Sequence, residues 1–155
     1  KIYGEIVGYG TSSDGQDMVS PSGEGAFRAM QMALETSPLA VDYLNTHGTS
    51  TQAGDLVEVE AAKDAFAGQL PPFSSTKALS GHALGAAGVH EAIYSLLMMR
   101  DGFLAASHHI ENLDESLLNS PIVLNTRHDE QVNCVMSNSF GFGGANACLI
   151  FARPA

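Results

Sequence analysis

Between Ala83 and Met99 the chain carries one charge, Glu91, and the first turns of that segment hold Ala83, Gly85, Ala86, Ala87 and Gly88. A helix that is apolar nearly all round belongs inside a fold, and a face of small residues lets a second backbone come close. The pattern predicts a buried central helix over residues 82–100, with the rest of the chain layered around it. An apolar fraction of 45% against a charged fraction of 15% supplies a dense core and a thinly charged surface.

The flanking segments alternate strand and helix patterns. Residues 2–9 alternate apolar and small side chains, a strand signal, and lead into a polar loop over 11–23. Ser22 is placed to cap a helix over 23–34, with Ala26, Met30, Ala33 and Leu34 at helical spacing. A short buried strand follows at 41–44, then a helix at 55–66 with Leu56, Val59, Ala62 and Phe66 on one face. Pro71 and Pro72 end it, and 73–76 reads as a strand. After the central helix, 122–125 and 132–137 read as a hairpin, followed by a glycine-rich stretch at 140–144 and a strand at 147–151. The order β-α-β-α-β-α-β-β predicts an α/β fold, with a five-stranded mixed sheet that is mainly parallel and closes on an antiparallel pair. The chain reads as one domain over 1–155. Its first residues read as a strand already under way, so the expectation is a piece of a longer protein.

Charge narrows the function. Seven basic and 17 acidic residues leave a net charge of −10, which excludes the basic footprint of a nucleic-acid binder and disfavours an anionic membrane. No apolar run approaches the ~20 residues of a membrane span. Cys134 and Cys148 sit on apolar, strand-like segments and read as buried free thiols, which suits a reducing cytoplasm.

In open sheets of this kind, sites gather at the carboxyl ends of the strands, and three polar motifs fall there. The first is Asn45-Thr46-His47-Gly48-Thr49-Ser50-Thr51. His47 alone fits a residue that merely bonds loop backbone, but the hydroxyls beside it suggest a lining of donors. The second runs from Ser75 through Lys77 to Gly81-His82. At the start of the central helix, His82 would face positive partial charge and stay neutral, able to donate to a developing oxyanion. Lys77 alone would be a surface lysine. The third, Asn138-Ser139-Phe140-Gly141-Phe142-Gly143-Gly144, offers exposed backbone donors and an apolar wall, or else a plain hairpin turn. It leads into a strand, so the helix that a phosphate site requires is missing. His108 and His109 are adjacent on an extended segment, point to opposite faces and have no partner at metal-ligand spacing, so no metal is expected. His90 and Glu91 read as the polar edge of the central helix. Neither cysteine has the setting of a nucleophile.

Taken together, these motifs resemble the C-terminal half of the β-ketoacyl-acyl carrier protein synthases of the elongating, type I kind, with a thiolase-like fold, along essentially the whole chain. The resemblance implies that His47 and His82 hold a malonyl thioester carbonyl while carbon dioxide leaves. It implies that Lys77 supports the charge balance and that Glu58 organises the site. Thr49 and Thr51 would contact a phosphopantetheine arm. The Phe142 N–H would serve an oxyanion hole, and Phe140 and Phe142 would gate an acyl pocket. It further implies fatty-acid elongation without a bound cofactor, acyl carrier protein as partner, a homodimer, and a nucleophilic cysteine in an N-terminal half that is not in this chain, leaving the chain inactive by itself. A polyketide or polyunsaturated fatty-acid ketosynthase and a non-catalytic chain-length-setting subunit are the alternatives. Retention of both His47 and His82 argues against the last.

Overall fold

A computed structural model describes residues 1–154. The elements are β1 (Glu5–Ser13), α1 (Glu24–Thr36), β2 (Tyr43–Asn45), α2 (Asp55–Ala65), β3 (Phe73–Ser74), α3 (Lys77–Ser80), α4 (Ala87–Asp101), β4 (Phe103–Leu104), β5 (Arg127–His128), β6 (Cys134–Phe140) and β7 (Ala145–Ala152). Five strands make one mixed sheet in the order β1-β7-β6-β2-β3. The β2–β3 and β2–β6 pairs are parallel, while β6–β7 and β1–β7 are antiparallel.

Period-two alternation along the strands splits the core into two layers. Leu44, Cys134, Met136, Cys148 and Ile150 point to the side covered by α1 and α2. Their neighbours Tyr43, Val135 and Phe151 point to the side covered by α4, where they meet Met98 and Met99. Helix α1 lies so close to the sheet that a Cβ on Gly10 would stand 1.9 Å from the Ala29 carbonyl oxygen. Only glycine permits that approach. Among the described residues, no helix is long and apolar enough to cross a membrane.

Two expectations about the sheet need correction. Residues 122–125 do not form a hairpin with 132–137. Pro121 has no N–H to give a ladder, and pairing there shrinks to a single parallel bridge between Ile122 and Phe73. The antiparallel partner of β5 is β4. The sheet is evenly mixed rather than mainly parallel, because β1 joins beside β7, the strand latest in sequence.

The central helix also differs. It begins at Ala87, and residues 77–86 form the short α3, a connecting loop and a 3₁₀ turn at Leu84–Ala86. Gly81 at φ 71° and Leu84 at φ 52° take left-handed backbone that interrupts the helix. Nor is α4 enclosed all round within this chain. It buries Ala87, Glu91, Ser95, Met98 and Met99, while Val89 and Ile93 are 63% and 49% exposed, and Leu84 on the preceding turn is 77% exposed. The small residues follow the same division. A Cβ on Gly88 would stand 2.9 Å from the Ser139 hydroxyl oxygen, whereas one on Gly85 would meet nothing within 4 Å. Gly88→Leu is therefore expected to lower stability by about 1–3 kcal/mol through overpacking. Gly85→Leu should leave the denaturation midpoint of this chain unchanged. Equal midpoints for the two variants would contradict the packing.

Candidate active site

The site is built where β2, β3 and β6 end on one side of the sheet. β2 delivers Asn45 and then His47, and the two rings His47 and His82 meet edge to face, with centroids 5.3 Å apart and planes at 83°. The Phe140 ring, at the end of β6, stands 6.0 Å from His47 and forms an apolar wall.

The backbone under His47 is fixed by one buried carboxylate. Glu58, on the first turn of α2, accepts the His47 N–H at 2.8 Å and the Gly48 N–H at 2.9 Å through its two oxygens. The Asn138 side-chain amide donates to the same group at 3.0 Å. Burial pushes the Glu58 carboxyl above its usual range, while these three bonds and the charge of Lys77 pull it back. Their geometry, acceptor to three donors, is that of the ionised form.

Lys77 is not a surface lysine. The short helix α3 turns it inward, where its ammonium donates to Glu91 of α4, and both residues are buried. Burial raises the Glu91 carboxyl and Lys77 opposes that rise. Glu91 is thus the buried ion-pair partner of Lys77 and not the polar edge of a helix. The signal was present in the sequence, as the one charge in 17 residues of an apolar segment.

Position alters the expectation for His82. It lies in the loop after α3, five residues ahead of α4, so the helix-terminus effect assigned to it does not operate there. The depressed basicity belongs to His47. Burial chiefly, then the charges of Lys77 and His82, hold it well below the ordinary histidine value, at about 3. His47 is therefore a neutral imidazole at physiological pH. Its Nδ1 is enclosed without a protein partner, which leaves Nε2 as the nitrogen to meet a substrate.

The remaining predicted residues are placed less centrally. Thr49 and Thr51 bond each other at 3.3 Å in the loop before α2, with Thr51 exposed. Phe140 reaches the histidines, but the Phe142 ring is 83% exposed on the following 3₁₀ turn. That turn depends on Gly144, at φ 79°, where a Cβ would stand 1.5 Å from the Asp14 carbonyl oxygen. Cys134 and Cys148 are buried free thiols, and burial pushes both above the usual thiol range, away from reactivity. Among the described residues, no group of three or more His, Cys, Asp or Glu side chains is placed to hold a metal ion. A largely apolar cavity of about 260 Å³, lined by Thr76, Leu79, Ser80, Tyr94, Met98 and Phe103 among others, has neither histidine in its wall.

Two imidazoles converging beside a backbone turn, with His47 neutral, can present two donors to one oxygen, the arrangement that stabilises an enolate or oxyanion. Comparison with known proteins shows the family. The family described as "Beta-ketoacyl synthase, C-terminal domain" matches residues 3–111. The 3-oxoacyl-[acyl-carrier-protein] synthase 1 of Haemophilus influenzae is 56% identical over 153 residues, covering 99% of this chain and 38% of that protein. The chain thus spans about two-fifths of the length of the curated relatives it matches. Among solved structures, a β-ketoacyl synthase from Burkholderia phymatum superposes with a TM-score of 0.93 at 39% identity, over 100% of this chain and 38% of that one. The ishigamide ketosynthase/chain length factor superposes at 0.92 with 30% identity, over 100% and 39%.

Proposed function

The chain belongs to the β-ketoacyl synthase family as its C-terminal domain, and from that premise we propose that it is the enolate-forming part of a 3-oxoacyl-[acyl carrier protein] synthase. In this reading a longer polypeptide, working as a homodimer, supplies the nucleophilic cysteine. The substrates arrive on the phosphopantetheine of acyl carrier protein. The observation that carries the proposal is the pair of facing imidazoles, with His47 held neutral.

The chemistry divides at the missing cysteine. An acyl group first forms a thioester on that cysteine. A malonyl thioester then seats its carbonyl oxygen between His47 and His82. The bond from its terminal carboxylate to Cα breaks, carbon dioxide leaves, and the electron pair becomes the enolate whose oxygen the two imidazoles hold. The enolate carbon attacks the acyl thioester, and the cysteine thiolate departs. Burial chiefly, with the charge of Lys77, keeps His47 neutral; Glu58 fixes the backbone from which His47 projects. Thr49 and Thr51 stand in the loop that would meet the pantetheine arm, and Phe140 walls the acyl side, with the Phe142 N–H proposed as an oxyanion donor. The greater identity to the 3-oxoacyl-[acyl-carrier-protein] synthase 1, 56% against 30% for the ishigamide ketosynthase/chain length factor, favours fatty-acid elongation over polyketide assembly.

Intact-mass measurement after incubation with an acyl thioester tests the division. The expected result is no stable acyl adduct on this chain alone and a single adduct on the full-length protein. An acyl group found on Cys134 or Cys148 would overturn it.

A further inference from the structure

Ser75 lies outside every role described so far, yet it stands where three loops of the site meet. Its hydroxyl donates to the Gly48 carbonyl at 2.6 Å. Its own N–H donates to the Ser107 hydroxyl at 2.9 Å, and the Lys77 N–H reaches back to the Ser75 hydroxyl at 3.4 Å. A Cβ on Gly48 would come within 2.9 Å of the Ser75 Cβ, so the two loops are in close contact at this point.

The consequence follows from what holds Gly48. Glu58 takes the N–H groups of His47 and Gly48, from the α2 side. That leaves the Gly48 carbonyl, and Ser75 takes it from the β3 side. Gly48, the residue that follows His47, is therefore held through its N–H and its carbonyl by two different elements. β3 also leads directly into α3, which sets Lys77, and into the loop that sets His82. One hydroxyl thus links the segment that aims His47 to the segment that aims His82. We propose that Ser75 is a positioning residue, whose bond to the Gly48 carbonyl sets the spacing and angle of the two imidazoles.

The inference rests on the proposed enolate-forming role of those imidazoles. A hydrogen bond of this kind contributes modestly to folding, but displacement of a catalytic group by about 1 Å costs up to ~10²-fold in rate. The effect should accordingly fall on chemistry rather than on stability. The Oγ is also the only part of the side chain that makes the link, so threonine should preserve what alanine loses.

The experiment compares Ser75→Ala and Ser75→Thr with the unsubstituted full-length protein. Three quantities are measured: carbon dioxide release from a malonyl thioester, acyl loading of the protein, and nitrogen-15 spectra of the histidine rings. Ser75→Ala is expected to lower the kcat of carbon dioxide release by about tenfold, with KM and acyl loading within about twofold. The ring signals of His47 and His82 should move, those of His90, His108, His109 and His128 should not, and Ser75→Thr should restore both rate and spectrum. Carbon dioxide release by Ser75→Ala within twofold of the unsubstituted protein would overturn the proposal, as would a parallel loss of acyl loading or unmoved His47 and His82 signals. If the unsubstituted protein releases no carbon dioxide, the proposed function fails instead. The spectra then decide the positioning role by themselves.

Discussion

His47→Ala and His82→Ala should each slow carbon dioxide release from a malonyl thioester by about 10²–10³, roughly 3–4 kcal/mol of lost transition-state stabilisation. The rings are 5.3 Å apart and can serve one oxygen. That oxygen gathers negative charge as the carboxylate bond breaks, so both donors strengthen in the transition state and the loss falls on kcat. Acyl loading should change far less, because the histidines hold the other substrate. Since the two donors share one atom, the double variant should lose less than the product of the singles. Acid should not mimic the His47 substitution. With its pKa near 3, His47 stays neutral as the pH falls from 8 to 5. The same depression has a cost for the fold. The unfolded chain takes up a proton near pH 6.5 and the folded chain does not, so this contribution to stability is lost between about pH 6.5 and 3. Carbon dioxide release near the unsubstituted rate in both single variants would return the histidines to the role of loop braces.

The second large effect belongs to the buried ion pair. Glu91→Leu leaves the Lys77 ammonium without its partner, with the side chain 6% exposed, and Lys77→Met does the reverse to a carboxylate that is 2% exposed. Removing one member of such a pair costs about 3–5 kcal/mol, because the survivor is a desolvated charge. The double variant Lys77→Met/Glu91→Leu should recover most of that stability, since matched apolar replacements of buried pairs are often neutral. Carbon dioxide release should not return with it. Burial chiefly holds His47 neutral even without Lys77, but methionine cannot supply the buried positive charge that the proposed site places near that imidazole. Chemical denaturation of the three variants, together with the carbon dioxide assay, separates the two contributions. Full activity in the double variant would show that the pair serves the fold alone.

Local pattern made the five strands of the main sheet and the three motif loops readable, because short apolar runs precede each loop. It also located His47, Lys77 and His82. What pattern could not reveal were partnerships across the fold. Glu91 and Lys77 are 14 residues apart on two helices, and nothing in the spacing of either announces the other. Ser75 reads as one hydroxyl among several until the Gly48 carbonyl is placed beside it. The break at Gly81–Leu84 escaped for a different reason. Residues on both sides suit a helix, and a left-handed leucine at φ 52° is a conformation that periodicity cannot register. The pairing of β1 escaped too, since its partner lies more than 130 residues away.

That last pairing bears on how the molecule is made. In the sheet β7 lies between β1 and β6, with Glu5 opposite Ala152 and Ser13 opposite Ala145, yet it is translated after every other strand. Until β7 emerges from the ribosome, β1 has no neighbour in the sheet and β6 lacks one of its two. Those two strands therefore keep open hydrogen-bonding edges while the residues between them are made, and closing the sheet joins residues more than 130 apart in sequence. Such topology folds slowly, and its waiting edges are the surfaces that aggregate. Late closure of this part of the sheet is thus a property of the strand order itself, independent of anything at the site.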